Sequence, residues 1–255
     1  MLFGYNFDRK TLYIIMIVLG ILLLFSLSSL SILSTILTLP GVIIAISCHE
    51  FAHAWMANRL GDHTARNMGR MTLDPRSHLN PVGLILLIFT HIGWGEPVPV
   101  NTNNFTKVSR KTGEVLVSLA GPVMNFILAI IFTIIFYLIT VFSPDAILSM
   151  IFSAEIAGMS FMGLVALTVY CAITVNIGLG VFNLIPIPPL DGSKIFLPFL
   201  PYNAQRWLDE KQGIIYLIFI ILWISGILGV LVSAPISVIQ NFIFEIVGRV
   251  FSLFL

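Results

Sequence analysis

The sequence is poor in charged residues and in cysteine. Asp, Glu, Lys and Arg together make up 10% of its 255 residues, whereas a soluble domain typically contains about 25%. The formal net charge is +1 and there is no run of basic residues, so nothing indicates a nucleic acid as a partner. The two cysteines, Cys48 and Cys171, both lie in apolar stretches. We interpret them as small buried side chains rather than a disulfide.

Apolar residues take the place of the missing charges. They make up 58% of the chain, and several stretches reach about 20 residues, the length of a transmembrane helix. We therefore predict an all-α polytopic integral membrane protein with about six transmembrane helices. Residues 1–255 are expected to form a single membrane domain with a catalytic core at about 36–195. The expected spans cover about 11–31, 40–60, 114–142, 157–184, 213–232 and 236–255. The second follows Pro40 or begins a few residues earlier, and the last either spans the bilayer or lies along the interface.

Lys and Arg mark one side of the membrane. They occur before the first span, after the second and on both sides of the central pair, but the connections at about 32–40, 143–156 and 233–237 contain none. The positive-inside rule therefore predicts cytoplasmic termini and a multi-pass protein of the cell membrane. Residues 82–93 are apolar but too short to span. We expect 82–105 to enter and leave from the cytoplasmic side as a re-entrant loop or a short β-hairpin.

The most informative pattern is His49-Glu50-Phe51-Ala52-His53, inside the second apolar stretch. Two histidines four residues apart share one face of a helix, about 6 Å apart along its axis. That spacing suits two imidazoles that bind one Zn²⁺, and it leaves the glutamate free to act as a general base on water. Ionisable side chains in a membrane helix are costly unless they serve a function, so the motif predicts a zinc hydrolase in or beside the bilayer.

A third zinc ligand is expected from Asp191. It follows the 157–184 span, which in the predicted orientation runs outside to inside, as does the helix of His49 and His53. Both segments reach a similar depth, and three protein ligands leave the fourth position of a catalytic zinc open. Alternatives are a turn-forming Asp-Gly pair without a metal, and Glu96 as a rival third ligand. His91 is a further candidate for the lining of the cavity.

Two prolines give the segment 96–101 two unequal edges. If this segment is extended, Pro97 and Pro99 remove hydrogen-bond donors from one edge, whereas Val98 and Val100 keep theirs on the other. We predict that the second edge binds an unfolded stretch of substrate by strand addition.

Four motifs together resemble the site-2 proteases, a family of intramembrane zinc metalloproteases. They are HEFAH at 49–53, GWxxPVPVN at 93–101, AGPxxN at 120–125 and NxxPxPPLDG at 183–192. The resemblance implies a six-helix membrane domain with one Zn²⁺ held by His49, His53 and Asp191. It also implies that Glu50 is the catalytic glutamate and that Asn183 assists near the reacting centre by hydrogen-bonding the oxyanion.

The chain departs from many relatives at Glu96, where they carry a basic residue, and the charge near the substrate path is therefore open. Its length leaves no room for the PDZ or CBS modules of other members, so it resembles the minimal form of the family. Gly121 and Asn125 lie four residues apart on one helix face. We count both as candidate substrate-binding residues, with close helix packing and a buried hydrogen bond as the alternative.

These features predict an endopeptidase that cleaves a peptide bond in or near a transmembrane segment. The expected partners are a membrane-spanning protein substrate, the lipid bilayer and a regulatory membrane protein. A metal transporter or a proteolytically inactive scaffold are the alternatives. A transporter would need a second cluster of intramembrane ligands along a path, and the sequence has none.

Overall fold

The computed structural model describes residues 32–80, 83, 95–152 and 158–253. Within these residues the chain forms nine α-helices and no strand. The expected first span at 11–31 lies outside the described residues. The helices are α1 (Ile32–Leu60), α2 (Thr64–Asn67), α3 (Arg110–Phe142), α4 (Pro144–Phe152), α5 (Phe161–Asn183), α6 (Asp191–Phe196), α7 (Tyr202–Glu210), α8 (Gln212–Ile224) and α9 (Ile227–Phe251).

Four of these helices are long and apolar enough to cross a membrane, namely α1, α3, α5 and α9. The expected all-α class of an integral membrane protein is confirmed, but six spans are not, because the described residues contain four. The outward face of α3 supports a lipid environment. It exposes a row of large aliphatic side chains that water would not tolerate as a continuous patch: Val123, Ile127, Ile130, Ile131, Ile134 and Leu138.

The predicted boundary between the last two spans is wrong. The turn falls at Ser225 and Gly226, where Gly226 adopts a left-handed conformation with φ of 76°. Helix α9 then runs through Pro235 without ending. Proline breaks most helices in water, but membrane helices tolerate it because neighbouring groups satisfy the freed carbonyl. The helix before the turn, α8, has only 13 residues and is shorter than the expected span.

Three helices form the scaffold of the molecule. Helices α1, α3 and α5 pack against one another, and α9 covers the outer side of α3 and α5. The core of the outer layer comes from all three helices there and consists of Ala129, Ile173, Ile177, Val181, Ile243 and Val247. Helices α1 and α5 approach closely at Gly41. A Cβ atom at this position would lie 2.7 Å from the Cα atom of Ala172.

The segment 95–105 runs along the end of α1 without forming a regular strand. An isolated antiparallel bridge joins Leu79 to Gly95, and a 3₁₀ turn follows at Thr102–Asn104. The expected β-hairpin is therefore absent from the described residues. Half of the expected re-entrant stretch, namely 82 and 84–94, lies outside them, so its path stays a prediction.

The close contact at Gly41 predicts a stability effect. Gly41→Ala should lower the free energy of unfolding by about 1–3 kcal/mol, because the added methyl group meets backbone atoms of α5. Gly178→Ala is the matched control on α5, where the added methyl would have only one neighbour, 3.9 Å away. Thermal unfolding in detergent should show a loss at position 41 and no loss at position 178. Equal stability of the two variants would contradict the close packing of α1 on α5.

Candidate active site

Three side chains converge in the interior of the helix bundle. The Nε2 atoms of His49 and His53 lie 3.0 Å apart, and Oδ2 of Asp191 lies 3.1 Å from each of them. His49 and His53 come from α1, whereas Asp191 is the first residue of α6. All three residues are buried. The convergence of Asp191 with the histidine pair, expected from matching depth, is present in the structure.

The Nδ1 atom of each imidazole already has a hydrogen-bond partner. Nδ1 of His53 lies 2.7 Å from the carbonyl oxygen of Val117 on α3, which can only accept. Nδ1 of His49 lies 2.6 Å from Oδ1 of Asn125, also on α3. With a proton on each Nδ1, both Nε2 atoms present lone pairs towards Asp191. Such outer-nitrogen partners fix the tautomer and orientation of metal-binding histidines.

Asn176 on α5 sets the orientation of Asn125, and the sequence analysis missed it. Its Nδ2 donates to the carbonyl oxygen of Ala172, 2.8 Å away, so its Oδ1 faces α3. There it accepts from Nδ2 of Asn125, at 3.1 Å. The second amide hydrogen of Asn125 goes to the carbonyl oxygen of Ala45. Asn125 must therefore turn its oxygen towards His49. A polar residue in the middle of the 161–183 span was the available signal.

The three converging atoms suit a zinc ion. Two imidazole lone pairs and a carboxylate oxygen lie within 3.1 Å of one another, and such electron-rich atoms repel unless a cation lies between them. Tetrahedral zinc with bonds of about 2.0–2.2 Å separates its ligand atoms by roughly 3.3 Å. Among the described residues, His49, His53 and Asp191 form a group whose ligand atoms lie close enough to hold one metal ion. The donor set and spacing match a catalytic site with one open position.

Asp191 reaches the histidines because the chain unwinds before it. The segment between α5 and α6 contains Pro186, Pro188 and Pro189 and forms no helix. Prolines favour an extended backbone, and Asp191 then opens the short helix α6. Gly192 is required next to it, since a Cβ atom there would collide with the carbonyl oxygens of Leu184 and Ile185.

Gly121 makes room for the histidines. A Cβ atom at this position would lie 2.5 Å from Nε2 of His53 and 2.6 Å from Nε2 of His49. A side chain at position 121 would fill the space beside the two Nε2 atoms or displace the rings. The close approach and the buried hydrogen bond expected at Gly121 and Asn125 are both present, and both involve the histidines. Contact of either residue with substrate stays a prediction.

Glu50 faces the extended segment. Its Oε2 atom accepts a hydrogen bond from the backbone N–H of Val98 at 2.9 Å. The expectation of a free donor at Val98 is therefore wrong, since Val98 is buried and paired with Glu50. The N–H of Val100 has no acceptor in the part of the chain that the structure describes. One of the two expected donors of the edge thus remains available.

Within the described residues, the candidates Asn183 and Glu96 form no hydrogen bond or ion pair with the three ligands. Asn183 donates its amide to the carbonyl oxygen of Leu179 on its own helix, and within the described residues it makes no hydrogen bond to the cluster. Glu96 is exposed and lies 3.8 Å from Arg70 in an ion pair, so it is not the third ligand. His91 lies outside the described residues.

This geometry defines a class of protein. Two histidines from a His-Glu-x-x-His helix, a third carboxylate ligand and an adjacent glutamate constitute the centre of a zinc metallopeptidase, here built on apolar helices. The family model of "Peptidase family M50" matches residues 37–226. The chain belongs to this family, the site-2 protease family, as the sequence motifs predicted, and is a zinc metalloendopeptidase.

Three similar proteins, each from a different organism, are also named as zinc metalloproteases. The chain is 35% identical over 184 residues to "Putative zinc metalloprotease YwhC" of Bacillus subtilis, which covers 72% of this chain and 78% of the relative. It is 33% identical over 200 residues to "Putative zinc metalloprotease Rip2" of Mycobacterium tuberculosis, covering 76% and 69%. It is 26% identical over 217 residues to "Putative zinc metalloprotease MJ0611" of Methanocaldococcus jannaschii, covering 85% and 96%. No solved structure gives a significant match.

Hydrogen bonds lead from Asn176 through Asn125 to His49, and we call this series the relay. It predicts a change in zinc affinity when Asn125 is replaced. Asn125→Leu removes the acceptor that holds His49, and the loss of such a partner typically weakens metal binding about 10- to 100-fold. Asn183→Leu is the control, because the Asn183 amide bonds only to its own helix. Chelator competition on the purified proteins should show weakened binding in the first variant and wild-type binding in the second. Equal affinities in the two variants would contradict the relay.

Proposed function

We propose that the protein hydrolyses a peptide bond in or near a transmembrane segment of another membrane protein. In this proposal His49, His53 and Asp191 hold one Zn²⁺, and Glu50 is the general base. The observation that carries it is the buried convergence of two lone-pair nitrogens and one carboxylate oxygen within 3.1 Å. Because this cluster lies among apolar helices, the bond that it cuts should be delivered within the bilayer or at its surface.

The chemistry divides between the metal and Glu50. Zinc, when bound, acidifies water and polarises the scissile carbonyl. Glu50 takes a proton from the attacking water and passes it to the leaving amine. The N–H of Val98 holds Oε2 of Glu50 at 2.9 Å, so this contact would fix the carboxylate while its other oxygen acts on the water. Asn183 would assist the oxyanion, since its amide has a second hydrogen beyond the one given to Leu179.

The substrate must enter in extended form. A helical segment hides its carbonyl groups in hydrogen bonds, so it has to unwind before attack, and the exposed backbone then needs new partners. The N–H of Val100 can supply one, because the described residues provide no acceptor for it. We propose that the edge at Val100 receives the unwound stretch by strand addition. Glu50 lies beside this edge through its contact with Val98.

The orientation follows from charge. Arg59, Arg66, Arg70 and Arg76 follow the end of α1 or lie on its last turn, and Lys107, Arg110 and Lys111 precede or begin α3. The connection between α3 and α5 contains no Lys or Arg. We therefore propose that the end of α1 and the start of α3 are cytoplasmic in a multi-pass protein of the cell membrane, with both termini in the cytoplasm. The partners would be a membrane-spanning substrate, the bilayer and a regulatory membrane protein.

The proposal predicts a separation of zinc binding from cleavage. Glu50→Gln keeps an oxygen that can accept from Val98 but cannot take a proton. It should bind zinc normally and lose cleavage by about 10²- to 10⁴-fold, the usual contribution of a general base. His49→Ala should lose both zinc and cleavage.

The measurement compares fragments released from membranes that contain each variant, by mass spectrometry of new chain ends, with zinc content determined on the same samples. Fragments that appear with wild type and not with Glu50→Gln identify the substrate. Wild-type fragment yields from Glu50→Gln would refute its role as the base.

A further inference from the structure

Asp62 is a buried carboxylate for which the cleavage chemistry has no direct use. It lies two residues after the end of α1, and none of its surface is accessible. It makes no ion pair within the described residues. Its charge is met instead by four hydrogen-bond donors, from Thr64, Asn101 and Asn104. Burial opposes ionisation, but the hydrogen bonds from Thr64, Asn104 and Asn101 outweigh it and lower the pKa of Asp62 below its ordinary value.

The two oxygens of Asp62 serve different parts of the chain. Oδ1 accepts from the backbone and hydroxyl of Thr64 and from Nδ2 of Asn104, at 2.9 Å. Oδ2 accepts from the backbone N–H of Asn101 at 2.7 Å. Only the contact at Oδ2 involves the backbone of the extended segment 96–101. The link is charge-assisted, and such hydrogen bonds are among the stronger ones in proteins.

Asn101 ends the segment 96–101, and another backbone N–H of this segment donates to Glu50. Three residues earlier, the N–H of Val98 donates to Glu50. At the start of the segment, the N–H of Glu96 donates to the carbonyl oxygen of His78 at 2.7 Å. The N–H of Val100, for which the described residues provide no acceptor, therefore lies in the chain between two residues held by carboxylates, Val98 by Glu50 and Asn101 by Asp62. Loosening the anchor at Asn101 would let this donor shift along the segment.

We propose that Asp62 is a positioning residue that sets the register of residues 96–101 against Glu50, and so determines which peptide bond of a bound strand is cut. The inference rests on the proposed function, because register matters only if the segment receives substrate. A strand that slips returns the same face to its partner after two residues. Loss of the anchor should therefore move cleavage to nearby bonds as well as slow it.

Asp62→Asn tests the hydrogen bond from the N–H of Asn101 to Oδ2 of Asp62 selectively. Asparagine has one acceptor oxygen, and if this stays with the three donors at Oδ1, the amide group faces the N–H of Asn101 and cannot accept from it. Asn104→Ala is the matched control, because it removes one donor to Oδ1 and leaves the contact with Asn101. Both variants keep the three side chains proposed to bind zinc, His49, His53 and Asp191.

The readout is the set of new chain ends in membranes that contain wild type, either variant, or Glu50→Gln as the background. With Asp62→Asn, cleavage at the wild-type bonds should fall roughly 10- to 100-fold, the effect of a small misplacement. New ends should appear within about two residues of the old ones, while zinc content stays at the wild-type level. Asn104→Ala should keep the wild-type ends. If Asp62→Asn also keeps them, without new ends, the proposal is overturned.

Hydrogen exchange of wild type at single-amide resolution gives a second measurement that needs no variant. The N–H of Asn101 should exchange slowly although it lies in no helix or sheet, and the N–H of Val100 should exchange rapidly. Rapid exchange at Asn101 would overturn the anchor. If wild type releases no more ends than Glu50→Gln, the proposed function fails instead, and the exchange result still reports on Asp62 separately.

Discussion

His49 Nδ1 and Asn125 Oδ1 lie 2.6 Å apart, and this contact joins α1, which carries both histidines, to α3. Asn125 can accept from His49 only because its own amide is committed to Ala45 and Asn176. The orientation of His49 therefore traces back to backbone carbonyls of α1 and α5, which can only accept. In an apolar interior each such group needs a partner within the protein. The same constraint that stabilises the bundle thus points a lone pair of His49 towards the metal position.

The active site joins two environments through Glu50. On one side are the buried imidazoles and Asp191, which need a cation between them. On the other is the extended segment, held at Val98 by Glu50 and at Asn101 by Asp62. Glu50 lies on α1 and Asp62 follows its end, so α1 and the residues just after it carry both histidines, the proposed base and the two carboxylates that contact the segment. This arrangement would keep the base and a bound strand in a fixed relation while the rest of a substrate moves in the bilayer.

The sequence predicted the parts of this site that depend on spacing and depth. His49 and His53 share a helix face because of their separation by four residues, and Asp191 meets them because its segment ends at the same depth. The relay through Asn176 and the anchor at Asp62 could not be read from spacing, since each depends on side chains from distant segments meeting in space. The contact of Val98 with Glu50 was missed for the same reason. The turn predicted at Pro235 was wrong because the effect of proline on a helix depends on the solvent around it.

Two histidines and one carboxylate are proposed to hold zinc, leaving a position open for water. X-ray absorption spectroscopy at the zinc edge of the purified protein tests this ligand set. It should show a four-coordinate ion with two imidazole nitrogens at about 2.0–2.1 Å and oxygen donors at about 2.0–2.2 Å. A sulfur donor at about 2.3 Å would bring Cys48, the neighbour of His49, into the coordination shell. That result would contradict the ligand set of His49, His53 and Asp191.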